Sequence, residues 1–214
     1  MIDLQKNEYD GTLIVFEGTD GAGKTTMIAK TKEYLCSKFG EERVLLEKQP
    51  TDLSRKTRLF QKMMYCSKHE EINYRAVQLL TLSDRVQHNH EVIVPALKAG
   101  KIIICDRYLY TSIANMLARG YRKESWFFDA CKEIVKPDIS FLCYVEPALA
   151  IQRIRSRPEE CNRHLNEKLL YGVAEEFLEM REQAEFCVVD TSRKADLAYE
   201  QVKKVLDKYF EGKR

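Results

Sequence analysis

Thr12-Leu13-Ile14-Val15-Phe16-Glu17-Gly18-Thr19-Asp20-Gly21-Ala22-Gly23-Lys24-Thr25-Thr26 passes from an apolar run through three glycines to a lysine and two threonines. Residues 12–16 have the length and β-branched content of a buried strand. Gly18 to Thr25 satisfies G-x-x-x-x-G-K-[ST], and Met27, Ile28, Leu35 and Phe39 then form the apolar stripe of a helix that Gly40 closes. A strand, a glycine-rich turn and a helix in that order make a backbone cradle for phosphate. The glycines let successive N–H groups curl round the oxygens, and the helix end adds positive potential. Lys24 is placed to reach the outer phosphates of a bound nucleotide, and the Thr25 hydroxyl to ligate magnesium.

Outward from this cradle, Val44 to Leu46, Lys101 to Cys105, Ile139 to Val145 and Phe186 to Val189 read as further strands. The first four strands are rich in Val, Ile and Leu with little alternation, as expected of a parallel sheet covered on both faces. Helical patterns lie between and after them: a long helix beginning with Ala76 to Leu82 and punctuated by Pro95 and Gly100, then Tyr110 to Ala118, Ser125 to Val135, Pro147 to Arg155, Asn166 to Glu185 and Ala195 to Phe210. The βαβα order predicts a three-layer α/β/α fold of the P-loop kind on a five-stranded parallel sheet. The polar stretch 156–166 reads as a short lid.

Strand Ile102-Ile103-Ile104-Cys105 ends in Asp106, at the carboxyl edge of the sheet where ligands of open α/β folds collect. A carboxylate there can hold magnesium beside Thr25. The nearly balanced charge, 35 Lys plus Arg against 33 Asp plus Glu, provides no large field for nucleic acid. The longest apolar runs, 102–105 and 141–145, fall far short of the roughly 20 residues of a membrane helix. Met1 to Asp10 is charged, without the apolar core of a secretory signal, so a cytoplasmic protein with neither nucleic-acid nor membrane partner is expected. With 214 residues, 44% of them hydrophobic, the chain suits a single domain over 1–214. The seven cysteines are scattered without a Cys-x-x-Cys pair, which argues against a disulfide framework or a zinc site.

With these elements in place the chain resembles the thymidylate kinase family from about Leu13 to the last helix. Four blocks carry the likeness: Phe16 to Thr26 with its Asp20; Lys48-Gln49-Pro50-Thr51-Asp52, where the family has Arg-Glu-Pro; Asp84-Arg85-Val86-Gln87-His88 through Val94-Pro95-Ala96-Leu97 and Gly100 to Asp106-Arg107-Tyr108 and Thr111-Ser112; and Pro137-Asp138 followed by Arg153, Arg155, Arg157 and Arg163. The resemblance implies transfer of the γ-phosphoryl group of ATP to dTMP or a related nucleoside monophosphate, with magnesium, in a homodimer. It assigns Gly18, Thr19, Asp20, Gly21, Ala22, Gly23, Lys24, Thr25, Thr26 and Arg153 to ATP, and Thr25 and Asp106 to the metal. Lys48, Pro50, Thr81, Arg85, Asp106, Arg107, Ser112 and Asn115 go to the acceptor. Asp20, Lys24, Arg107 and Arg157 act in catalysis. Members with Gly at the position of Gly21 draw a catalytic arginine from the lid. Independently of family, fixed guanidinium groups suit the charge that accumulates in phosphoryl transfer. Arg85 lies four residues after Thr81 and Arg157 four after Arg153, so each pair shares a helix face.

The departures cluster at the acceptor base. Thr81 stands where the family has a phenylalanine, and Asn115-Met116 where it has Tyr-Gln. Leu80, Leu82 or Tyr110 remains to supply the missing face. Two other readings stay open: a P-loop kinase for another nucleoside or small molecule, and a nucleotide sensor that binds ATP without turnover. His88 and His90 lack a third ligand and read as helix surface, Cys161 and His164 as incidental, and Trp126-Phe127-Phe128 as packing or a subunit contact.

Overall fold

The computed structural model describes residues 3–65, 71–158 and 165–213. Five parallel strands, β1 (Thr12–Glu17), β2 (Val44–Lys48), β3 (Ile102–Asp106), β4 (Ile139–Tyr144) and β5 (Phe186–Asp190), form one sheet in the order β2-β3-β1-β4-β5. Alternate side chains leave opposite faces, and because both faces are covered, both alternations are apolar. Leu13, Val15, Ile103, Cys105 and Leu142 enter one core. Ile14, Phe16, Ile102, Ile104, Phe141 and Cys143 enter the other.

The second core is closed by α1 (Lys24–Phe39), α8 (Pro147–Arg155) and α10 (Ala195–Gly212). The first lies under α4 (Tyr74–His88), α5 (Val94–Lys98), α6 (Leu109–Leu117), α7 (Ser125–Cys131) and α9 (Glu167–Glu179). Two short helices, α2 (Asp52–Arg55) and α3 (Arg58–Tyr65), follow β2. The sequence patterns show neither of them. They are too short for a period to register, although Thr51 caps α2 by accepting from Leu53 N at 3.1 Å.

Three expectations are corrected. β2 is an edge strand whose Leu46 is exposed, so of the first four strands only β1 is buried throughout, and β3 and β4 all but their last residue. The long helix expected from Ala76 begins two residues earlier, and its punctuation at Pro95 is a change of winding rather than an end. It starts at Tyr74 on an Asn73 cap and passes through a π-turn at Asn89–Ile93 into α5, a local widening that accommodates the proline ring and its missing N–H. The helices expected to reach Val135 and Glu185 end at Cys131 and Glu179. The chain turns before β4 and β5 without a glycine to mark either end, and Glu185 itself takes the left-handed conformation that a glycine would signal.

Pairing register sets the stage for the site. Asp106 is opposite Phe16 on one side and Lys48 on the other, so β1, β3 and β2 end at one level. The turns leaving them meet at the carboxyl edge, beside the strand where the winding direction reverses.

Candidate active site

The turn after β1 is pressed into shape from behind. Gly18 and Gly21 have φ of 135° and 78°. A Cβ on either would stand 2.3 Å from the Cys143 carbonyl oxygen or 2.4 Å from that of Ala150. The backbones of β4 and α8 thus leave room only for glycine. Lys24 opens α1 and is buried. Its Nζ donates to the carbonyl oxygens of Gly18 at 3.0 Å and Thr19 at 2.7 Å. Burial, with the positive charge of Arg107 nearby, brings its pKa down to about 8. Thr191, after β5, closes the underside by donating to Ala22 O at 2.9 Å.

At the end of β3, Arg107 has φ of 65°, a left-handed backbone unusual for arginine. Its N donates to Phe16 O at 2.9 Å, its Nη1 to Gly18 O at 2.9 Å and Thr111 Oγ1 at 3.1 Å, and its Nη2 pairs with Asp20. The guanidinium therefore rests against the phosphate cradle. Glu17 holds this corner from below. Fully buried, it accepts from Tyr108 N at 2.9 Å, Thr111 N at 3.1 Å and the Thr111 hydroxyl. Burial pushes its carboxyl pKa up, against those hydrogen bonds and Arg107. Glu17 was given no role from sequence. Its only signal was a charge at the end of an otherwise apolar strand.

Asp106 presents two unlike oxygens. Oδ2 faces Lys48 Nζ at 3.4 Å, whereas Oδ1 is buried without a hydrogen-bond partner among the described residues. A buried carboxylate oxygen left unpaired, with the Thr25 hydroxyl lining the same cleft, fits a hard cation that takes oxygen ligands.

A cleft of about 480 Å³ continues from here between α3, α4, α6 and α9. Lys48, Pro50, Thr81, Arg85, Ser112 and Asn115 all line it, as do Asp20, Arg107 and Arg157. The turn at Pro50 is fixed by Asp84, whose carboxylate accepts from Thr51 N and Thr51 Oγ1, both at 2.7 Å. Arg85 is buried, with Nε and Nη2 on Tyr108 O at 3.2 and 3.1 Å and Nη1 on Thr81 O at 3.0 Å. It ties α4 to the Arg107 corner. Sequence reasoning missed Arg55 and Arg119, which also line the cleft. Arg55 donates to Pro50 O at 2.6 Å, and burial followed by the nearby charge of Arg107 lowers its pKa. The Thr51-Asp52 capping pattern one turn earlier was its available signal.

A family model described as thymidylate kinase matches residues 16–202. The chain belongs to the thymidylate kinase family. Its members are ATP-dependent phosphotransferases. Among relatives, the probable thymidylate kinase of Thermococcus kodakarensis is 33% identical over 196 residues, covering 88% of this chain and 94% of that one. The thymidylate kinase of a Geobacillus species is 34% identical over 199 residues, covering 87% and 91%. A solved thymidylate kinase from Ehrlichia chaffeensis superposes with a TM-score of 0.68 at 25% identity, covering 92% of this chain and 99% of its own. The fold is the P-loop fold of that family.

Against the thymidylate kinase expectations, Arg153 and Arg157 do not share a helix face, because α8 ends at Arg155 and Arg157 lies beyond it. Arg157 lines the cleft, but Arg153 lies behind the cradle, with Nη2 on Thr191 O at 2.8 Å and Nη1 on Gly21 O at 3.4 Å. Of the lid, residues 159–164, with Cys161, Arg163 and His164, lie outside the described residues. An ion pair between Arg155 and Glu167 joins its two ends. None of Leu80, Leu82 and Tyr110 lines the cleft. Leu82 and Tyr110 are packed in the core, the latter edge-on to Phe186. The aromatic rings there belong to Phe60 and Tyr74. His88 is not on the surface as expected. It is buried between Glu47 and Gln49, 3.0 Å from each. Phe127 is core, flanked edge-on by Trp126 and Phe128.

Proposed function

We propose that this chain transfers the γ-phosphoryl group of ATP to dTMP or a closely related deoxynucleoside monophosphate, giving ADP and the diphosphate. The observation that carries the proposal is Arg107. Its guanidinium contacts the donor cradle at Gly18 and Asp20 while lining the cleft where an acceptor would lie, so one cation touches both sides of the transfer. Residues 18–26 and Lys24 hold the donor phosphates. Arg107 and Lys48 hold the acceptor phosphate, and Asp20 orients the Arg107 head. Arg157, at the root of the lid, stabilises charge on the transferred group. Thr25 and Asp106 are the residues that would hold magnesium, which when bound offsets phosphate charge. Pro50, Thr81, Arg85, Ser112 and Asn115 shape the acceptor pocket, with Arg85 acting through the Tyr108 carbonyl. Arg153 serves ATP by bracing the cradle. The acceptor phosphate is already anionic, so no general base is required.

The homodimer, the cytoplasmic setting, the single domain over 1–214 and the absence of nucleic-acid or membrane partners belong to the same proposal. Exposed Leu53 on α2 and Leu79 on α4 offer apolar surface for a second copy. No helix among the described residues is long and apolar enough to cross a membrane. The test is acceptor-dependent ADP formation with ATP and magnesium across deoxy- and ribonucleoside monophosphates, with Lys24→Ala as control. Turnover with dTMP or dUMP, lost in the control, is expected. ATP binding without turnover on any acceptor would favour a nucleotide sensor instead.

A further inference from the structure

Two walls of the cleft converge on Arg119. Thr111 and Asn115 share one face of α6, and Arg119 follows in the turn just past the helix end. Asn115 Nδ2 donates to Thr111 O at 2.9 Å, and Arg119 Nη1 donates to Asn115 O at 2.9 Å and Oδ1 at 2.8 Å. The two bonds to Asn115 hold the Arg119 head at the level of that residue, about one turn or 5.4 Å from Thr111. Thr111 bonds the Arg107 guanidinium, so this head stands one step beyond the phosphate end of the cleft. From α4, the ring of Tyr74 lies beneath the guanidinium, 4.0 Å from its carbon, and both residues line the cleft. The plane of Arg119 is thus fixed by a ring on one side and by an asparagine along one edge.

Gln78 is a second, independent pointer. One turn after Tyr74 in the same wall, it is 6% exposed, and its Oε1 has no hydrogen-bond partner among the described residues. An unpaired buried amide in a cleft wall calls for a ligand hydrogen bond.

Resting on the reading of the cleft as a nucleoside monophosphate site, we infer that Arg119, held by Tyr74 and Asn115, reads the base of the acceptor and selects a ring carbonyl. Arginine has five N–H donors and no acceptor. Asn115 uses two, and the Tyr74 hydroxyl shares in the other three, which Nε and Nη2 carry. Such a group fits the C4 carbonyl of thymine or uracil, or the C6 carbonyl of guanine. It repels the amino group that cytosine or adenine carries there. The Gln78 amide can turn to offer donor or acceptor, so it accepts the adjoining ring N–H without deciding between bases. Planar guanidinium groups are also surfaces on which bases stack, and Thr81 has no ring of its own to offer.

Steady-state kinetics of wild type, Arg119→Ala, Arg119→Lys and Tyr74→Phe with dTMP, dUMP and dCMP tests this. A hydrogen bond from a charged donor corresponds to roughly 10- to 100-fold. Arg119→Ala should raise KM for dTMP by that factor, leave KM for ATP within about twofold, and reduce the dTMP over dCMP ratio in kcat/KM by about tenfold or more. Arg119→Lys, which keeps the charge but not the plane, should restore only part of the ratio, and Tyr74→Phe, which keeps the ring but removes the hydroxyl's bond to Arg119, should lower it by less than Arg119→Ala does. A ratio unchanged in an Arg119→Ala protein that keeps its KM for ATP and its melting temperature overturns the inference while leaving the phosphotransferase reading intact. A wild type silent on every monophosphate overturns that reading and the inference with it.

Discussion

The two ends of the cleft are made of different material. At the phosphate end the working groups are backbone N–H and C=O, fixed by a strand register and by glycines with no room for a Cβ. Lys24, Arg107 and Glu17 are pinned by short-range bonds to that backbone. At the base end the groups are side chains from four helices, and their positions depend on how those helices pack. Phosphate is common to every substrate of such an enzyme, whereas the base is where substrates differ. A rigid backbone cradle therefore sits beside a wall that can be rewritten one residue at a time.

Substitutions at the two ends should differ accordingly. Lys24→Ala is expected to lower kcat/KM by at least about 10³ whichever acceptor is used, because it removes a fixed charge from the transferring phosphates. A loss that varied tenfold with the base would show the ends to be coupled. Glu17→Ala leaves two backbone N–H groups and the Thr111 hydroxyl without their acceptor in a buried corner. Chemical denaturation should show a loss of roughly 2–4 kcal/mol, and no loss would mean that the Arg107 turn is held by something else.

Protonation sharpens the contrast. Lys24 titrates near pH 8 in the free protein, and phosphate charge must raise that value in the complex. Between the two values binding takes up a proton. ATP affinity should be flat below about pH 8 and weaken by up to about tenfold per unit above it. Lys24→Met should flatten the profile, and calorimetry in buffers of different ionisation enthalpy reads the proton directly. The smallest effect is expected at the base end, where Thr81→Phe, which adds a ring for the base to stack on, should lower KM for dTMP by less than about tenfold. A hundredfold loss would mean that Thr81 grips the base as tightly as the cradle grips phosphate.

Sequence alone carried the phosphate end because its parts are contiguous. A strand, a G-x-x-x-x-G-K-T turn and a helix are one local unit, and Asp106-Arg107 follows an unbroken apolar run of three isoleucines and a cysteine. The parallel five-stranded sheet followed from apolar runs alternating with helical periods. Tertiary structure decided the rest. Arg55 and Arg119 meet the cleft only because two short helices and the end of α6 pack against α4. Arg153 and Arg157 share a helix face in sequence, yet one reaches behind the cradle and the other into the cleft. Tyr110 was open to the pocket on paper and is core in fact, and His88 was surface on paper and is buried between β2 and its own helix. The physical reason is range. Backbone conformation and cradle chemistry are set by neighbours within a few residues, whereas the direction in which a side chain is buried is set by whichever distant element covers it.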